Sequence, residues 1–197
     1  MQPVTLEERS TRLEPLSHSH HAALCEVGLN PDIWKWYAWR CLTPEDMRRF
    51  INTALDEQSR GVSLPFATIA KGRNGEPDRV VGSTRFMNID AKHRKVEIGT
   101  TWLTPAAQRT TVNTQAKLLM LTHAFETWNC VRVEFKTDSL NEASRRAILR
   151  LGAKEEGTHR NHMITWSGRL RHSVYYSIID SEWPAVRERL KAMLARD

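Results

Sequence analysis

"TTWLTPAAQRTTVNTQAKLLML", residues 100–121, runs from a strand-like stretch through a polar turn into a helix. A strand feeding a polar loop and then a helix aims the first unpaired N–H groups of that helix at whatever sits above the strand end. Here those donors belong to residues around Thr110 to Thr114. The hydroxyls of Thr110, Thr111 and Thr114, the amide of Asn113, and the charges of Arg109 and Lys117 add to them. A pyrophosphate is a natural guest for such a set. On local sequence alone, a plain cluster of helix-capping residues explains it equally well.

Upstream, "KVEIGTTWL" (95–103) reads as a strand. Alternation puts Val96, Ile98, Thr100 and Trp102 on one face and Glu97, Gly99 and Thr101 on the other, so Glu97 faces away from the most apolar side. Two earlier strands, 65–71 and 79–87, flank "GRNGEPD", whose Asn74-Gly75 pair is a hairpin signal and predicts antiparallel neighbours. Before them come a strand over 11–16, a helix over about 19–29, and a helix from Thr43 to about Gln58. In the latter, Thr43 caps, Pro44 takes the first helical position and Asp46 lies in the first turn.

Downstream, Ala116, Leu119, Met120, His123, Ala124 and Trp128 recur at helical spacing, predicting a helix over about 113–128. A strand follows over 131–137. The next helix opens on a Ser139–Glu142 capping box and stops at Leu151-Gly152. One or two strands come next, the clearer over 173–179, and then a final helix with Trp183, Val186, Leu190 and Met193 on one side. The strand-helix-strand units between residues 95 and 180 imply some parallel pairing. The fold class is mixed α/β: a central mixed β-sheet of α+β type flanked by helices, in one domain spanning 1–197.

A chain of 197 residues, 40% apolar and 26% charged, suits a folded globular protein rather than a disordered one. Its net charge of +6 favours an anionic ligand, with basic residues dense from Arg145 to Arg171, although a solvated basic face accounts for the charge equally simply. Cys25, Cys41 and Cys130 are odd in number and widely spaced, which argues against a disulfide framework or zinc knuckle and for a reducing compartment. With no apolar leader or spanning stretch, the expectation is a soluble cytoplasmic protein with no membrane partner. His18, His20, His21, His159 and His162 have no cysteine or carboxylate completing a ligand set, so no metal is expected. Nor is nucleic acid expected as a partner, since no recognised binding motif accompanies the charge.

Three stretches together resemble the GNAT-superfamily N-acetyltransferases of the RimJ/RimL type: "EIGTTWLTPAAQRTTVNTQAKLLMLTHAFE" (97–126), "RVEFKTDSLNEASRRAILRLGAKEEGTHRNHM" (132–163) and "YYSIIDSEW" (175–183). The resemblance covers nearly the whole chain and implies the GNAT acyl-CoA N-acyltransferase fold, with acetyl-CoA as cosubstrate. In that family the pyrophosphate loop reads Gln/Arg-x-x-Gly-x-Gly/Ala, whereas this chain has Gln108-Arg109-Thr110-Thr111-Val112-Asn113. Both small positions carry side chains. The run from Thr110 through Asn113 and Thr114 to Lys117 is similar to a RimL-like subgroup, which implies variant binding of the pyrophosphate rather than its loss.

The resemblance further implies that the pantetheine arm pairs with the strand end at Trp102 and Leu103, that Asn141 bonds the arm, and that Ser144 lies near the thioester sulfur. Arg145 or Arg146 would meet the phosphates. Acetyl transfer to an amine needs a base for the amine and an acid for the departing thiolate. Glu97 is the candidate base and Ser144 the candidate acid, with Tyr176 as the alternative acid and a backbone N–H near Leu103 for the oxyanion. Trp34, Trp36, Tyr37 and Trp39 lie where the family places its substrate-gating helices, so Trp34, Tyr37 and Glu97 are expected to face the acceptor, unless the aromatics are core. Arg171-His172 stands where relatives show Arg-Asp. The expected acceptor is a primary amine, either a protein N-terminus or a small molecule, and a homodimer is an open option. The rival reading is a non-catalytic acyl-CoA-binding protein with the same fold.

Overall fold

The computed structural model describes residues 2–72 and 75–195. In chain order the elements are β1 (Leu6–Glu7), β2 (Thr11–Pro15), α1 (His21–Gly28), α2 (Pro44–Ser59), β3 (Ser63–Ala70), β4 (Arg79–Asp90) and β5 (Lys95–Leu103). They continue with α3 (Thr111–Thr122), β6 (Arg132–Asp138), α4 (Glu142–Leu151), β7 (Lys154–Ile164), β8 (Leu170–Ile179) and α5 (Trp183–Leu194). The strands form one sheet in the order β1-β2-β3-β4-β5-β6-β8-β7. Its junctions are antiparallel except β5–β6, which is parallel and carries the crossover through α3. This mixed sheet flanked by helices is the expected fold class. Asn74 lies outside the described residues, but β3 and β4 are antiparallel neighbours as its turn signal implied.

Two apolar clusters sandwich the sheet. One packs Phe86, Ile98, Val133, Phe135 and Tyr176 against Met120 and Leu121 of α3, Ile148 of α4 and Trp183 of α5. The other packs Ala67, Ile69 and Trp102 against Leu24 of α1, Met47, Phe50 and Ile51 of α2, and Trp34. At the head of α2 the Thr43 hydroxyl accepts the Asp46 N–H at 3.1 Å, and the Asp46 carboxylate accepts the N–H groups of Leu42 and Thr43.

Four details differ from the sequence reading. First, α3 begins at Thr111 rather than Asn113, because the Thr110 hydroxyl caps it, and it passes into a five-residue π turn over His123–Thr127. Second, α4 is capped by Asn141, whose Oδ1 accepts the Ser144 N–H at 3.1 Å. Ser139 does not cap it, because the Ser139 N–H bonds the His172 carbonyl and prolongs the β6–β8 ladder. Third, β7 is a full edge strand, exposed along most of its length, so its residues carry little apolar alternation.

The fourth difference is a bulge in β5. Ser83 pairs with Trp102 and Arg85 with Gly99, so β5 spends three steps where β4 spends two. Thr100 absorbs the extra residue at φ 48°, a conformation that is strained for a β-branched side chain. The alternation is therefore inverted beyond it. Val96 and Ile98 lie in the α3-side core, whereas Trp102 joins the cluster under α1 and α2, opposite to the expected face.

Candidate active site

β5 pairs with β6 only from Lys95–Arg132 to Glu97–Glu134. Past Glu97 the two strands part, leaving a notch with Glu97 at its apex. Glu97 is only 3% exposed. Its Oε2 accepts from Asn88 Nδ2 at 2.8 Å and lies 3.5 Å from Lys136 Nζ. Its Oε1 has no hydrogen-bond partner among the described residues. Gly99 keeps the space beside that oxygen open, since a Cβ there would lie 2.6 Å from Met87 Sδ and 3.1 Å from Glu97 Oε1.

The parted edge of β5 is held by side chains. The Tyr37 hydroxyl donates to the Thr101 carbonyl at 2.7 Å, and Gln108 Nε2 donates to the Leu103 carbonyl at 3.1 Å. Burial pushes the Tyr37 phenol pKa up, which keeps it a neutral donor. Trp102 is buried against Trp34 and Phe50, with ring centroids 5.3 and 6.3 Å apart, and its indole N–H has no partner among the described residues. Trp34 is 1% exposed and donates its N–H to the Gly28 carbonyl. It therefore supports the wall from behind and does not face an acceptor. Trp36 and Trp166 are nearer the surface. The Trp36 carbonyl accepts from Arg171, and the Trp166 indole donates to the Trp34 carbonyl, so the 34–37 segment is tied to the β7–β8 hairpin.

On the far side of the notch, the loop after β5 turns into α3. Its left-handed residue is Arg109, at φ 62°. Thr111 and Asn113, at the positions where the family carries small residues, sit inside the first helical turn. Neither backbone takes the positive φ that favours glycine. Thr110 Oγ1 donates to the Ala107 carbonyl at 2.7 Å and accepts the Val112 N–H at 3.4 Å. Val112 itself is buried with Val81, Leu103 and Ala107. The Thr114 hydroxyl accepts from Arg150 of α4 at 2.9 Å.

Three expected phosphate contacts are placed differently. Lys117 is 5% exposed and points at the sheet, donating to Thr101 Oγ1 at 2.8 Å and Thr84 Oγ1 at 3.3 Å. With no carboxylate beside it among the described residues, desolvation lowers its pKa from 10.5 to about 7. Its amine is directed at the sheet and not at the loop. Arg146 pairs with Glu142 in solvent, and Arg145 reaches Tyr176 at 3.1 Å and Glu155 at 3.4 Å. Arg150 is the α4 cation that does reach α3. Sequence reasoning missed it because only the packing of α4 beside α3 brings position 150 to Thr114.

The residues present fit a pyrophosphate and its arm. The N-terminus of α3, Arg109 and Arg150 supply positive potential. The Asn113 amide has a buried Oδ1 without a partner among the described residues, at an end whose oxygen and nitrogen exchange by rotation. On α4, Asn141 spends its oxygen on the helix cap, which leaves its NH2 to donate, and Ser144 sits half-buried in the first turn. Tyr176, the alternative acid, is buried with its hydroxyl already accepting from Arg145. Among the described residues no group of three His, Cys, Asp or Glu is placed to hold a metal ion, and no helix is long and apolar enough to cross a membrane.

Residues 11–154 match the family model described as an acetyltransferase (GNAT) domain. Over 102 residues the chain is 33% identical to the Bacillus subtilis (strain 168) protein named "Putative ribosomal N-acetyltransferase YdaF", covering 52% of this chain. The match spans 55%, about half, of that relative's length. A GCN5-related N-acetyltransferase from Brucella melitensis superposes with a TM-score of 0.88 at 29% identity, over 98% of this chain and 86% of the other. Mycobacterium smegmatis RimJ in complex with CoA-disulfide has the same fold, with a TM-score of 0.82 at 21% identity, over 97% of this chain and 95% of that one.

Proposed function

The chain belongs to the GNAT acetyltransferase family as an N-acetyltransferase, and on that premise we propose that it transfers an acetyl group from acetyl-CoA directly to a primary amine. The observation that carries this reading is the notch itself: β5 leaves β6 immediately past Glu97, and the first turns of α3 and α4 lie beyond it. The acceptor is an amine on a polypeptide N-terminus, a reading that the name of YdaF supports. One domain over residues 1–197 would carry the activity, and three free cysteines suit a reducing compartment such as the cytoplasm.

Bound acetyl-CoA supplies an electrophilic thioester carbonyl. In this reading the backbone donors of α3, with Arg109, Arg150, Asn113 and Thr111, hold the pyrophosphate, while Asn141 and the edge of β5 at Trp102 and Leu103 hold the arm. Glu97 accepts a proton from the incoming ammonium on Oε1, the oxygen left open beside Gly99. As the nitrogen–carbon bond forms and the carbon–sulfur bond breaks, Ser144 gives its proton to the leaving thiolate and takes up the second proton that the nitrogen sheds on becoming an amide.

Calorimetric titration with acetyl-CoA against desulfo-CoA and ATP, followed by thiol release with an N-terminal peptide, tests the proposal. Selective binding, weakened in Asn113→Ala and Asn141→Ala, with thiol release that requires the amine, is expected. Binding without amine-dependent release would make the chain an acyl-CoA-binding protein. No binding would leave only the fold.

A further inference from the structure

We propose that Asn88 is the positioning residue of the base: a bulge in β4 aims its amide at one oxygen of Glu97 and so leaves the other oxygen to the incoming amine. The inference rests on the reading above in taking Glu97 as that base.

The bulge lies beside Glu97. Met87 pairs with Glu97 and Asp90 with Lys95, so Asn88 and Ile89 stand opposite Val96 alone. Asn88 absorbs the extra residue at a left-handed φ of 51°, a conformation that asparagine adopts more readily than most side chains. The bulge exchanges two faces. Phe86 packs in the α3-side core, whereas Met87 lies on the face of Gly99 and Glu97. Unbroken alternation would send Asn88 after Phe86 into that core and Ile89 after Met87 toward the notch. Instead Ile89 packs on the core, and the Asn88 amide reaches the carboxylate.

A packing role explains only half of this. Placing Ile89 on the core and bonding its N–H to the Val62 carbonyl at 3.3 Å use the bulge, but they need no particular side chain at position 88. Glycine takes that backbone conformation at least as readily. Asn88 is exposed, yet its amide donates to a carboxylate that is only 3% exposed. That partner sets the orientation of the amide, because the opposite flip would put Oδ1 against Oε2, two acceptors with no proton between them. Lys136 approaches the same Oε2, at 3.5 Å. Both donors therefore load one oxygen, and Oε1, with no partner among the described residues, keeps its lone pairs for the proton of the ammonium. The lysine brings charge on a flexible stem. The short amide, on a strand paired on both sides, brings direction.

The test is a double-mutant cycle on thiol release from acetyl-CoA with an N-terminal peptide as acceptor. Asn88→Gly keeps the backbone conformation and removes the amide. It should lower kcat by about tenfold, with Tm and the KM for acetyl-CoA close to wild type. Asn88→Asp sets a carboxylate against Glu97 and should lower kcat at least as far. In the Glu97→Gln background the base is already gone, and Asn88→Gly should cost about twofold more at most. A merely structural role would carry the same loss into both backgrounds. That outcome, or full kcat in Asn88→Gly, overturns the inference and leaves Glu97 as the base. Should Glu97→Gln be too slow to read, Asn88→Gly decides alone: a rise in the KM for acetyl-CoA as large as the fall in kcat overturns the inference. If Glu97→Gln runs at the wild-type rate, the base reading fails, and the inference fails with it.

Discussion

Lys117 and Lys136 lie beside the same strand, on opposite faces of β5. Lys117 comes from α3 into the core and finds only two threonine hydroxyls, Thr101 and Thr84. Lys136 lies on the face that carries Glu97, is 18% exposed at its side chain, and has that carboxylate 3.5 Å away. On the first face burial without a counter-charge brings the lysine pKa down to about 7. On the second a buried carboxylate is matched by an amide donor and a cation. The first arrangement ties α3 to Thr101 beside the strand bulge; the second sets a carboxylate at the apex of the notch. A charged form is disfavoured where burial brings no partner, as at Lys117.

The largest effect should come from the charged face. Glu97→Gln keeps an acceptor for Asn88 but removes the proposed base, so kcat in amine acetylation should fall by about 10²–10⁴ while acetyl-CoA affinity holds. A full-rate variant would show that Glu97 only pairs with Lys136, and would erase the functional half of the comparison.

Next comes the core face. A lysine with its pKa lowered on folding binds more protons unfolded than folded between about 7 and 10.5, so its contribution to stability rises with pH across that window. Below pH 7 both states are protonated and the full desolvation penalty is present. Lys117→Met should remove this slope. Relative to wild type, the variant should lose on the order of 3 kcal/mol of stability between pH 7 and pH 10, at about 1.4 kcal/mol per unit of pKa difference. Denaturant unfolding at several pH values would measure it. Parallel curves for the two proteins would mean that Lys117 stays charged in the core.

The smallest effect sharpens the link between the faces, which meet at Thr101: its hydroxyl accepts from Lys117 and its carbonyl from Tyr37. Tyr37→Phe should cost about 1 kcal/mol of stability and raise KM for acetyl-CoA more than it lowers kcat, as read from steady-state kinetics. Equal changes in both would argue that Tyr37 is only packing.

Much of the fold was legible in the sequence. The α2 start could be read from Thr43, Pro44 and Asp46, and the α4 stop from Gly152, because a helix terminus is satisfied by residues within a turn of it. The parallel pairing of β5 and β6 followed from their long crossover. Edge strand β7 was ambiguous because an exposed strand leaves no apolar alternation to read. At the candidate site, the sequence named Glu97 and the α3 N-terminus by strand parity and loop chemistry. It could not separate the cations, because Arg145, Arg146, Arg150 and Lys117 look alike until packing puts Lys117 against the sheet and Arg150 beside Thr114.

The sequence by itself determined most of the order of elements, the start of α2 and the stop of α4, the polar loop and the family, since these depend on patterns within a few neighbouring residues. Only the tertiary structure decided that Trp102 faces α2, that Lys117 is core and that Arg150 reaches Thr114. The reason is register and packing. An extra residue at Thr100 has meaning only against β4, and the surroundings of a long side chain are set by elements distant in the chain.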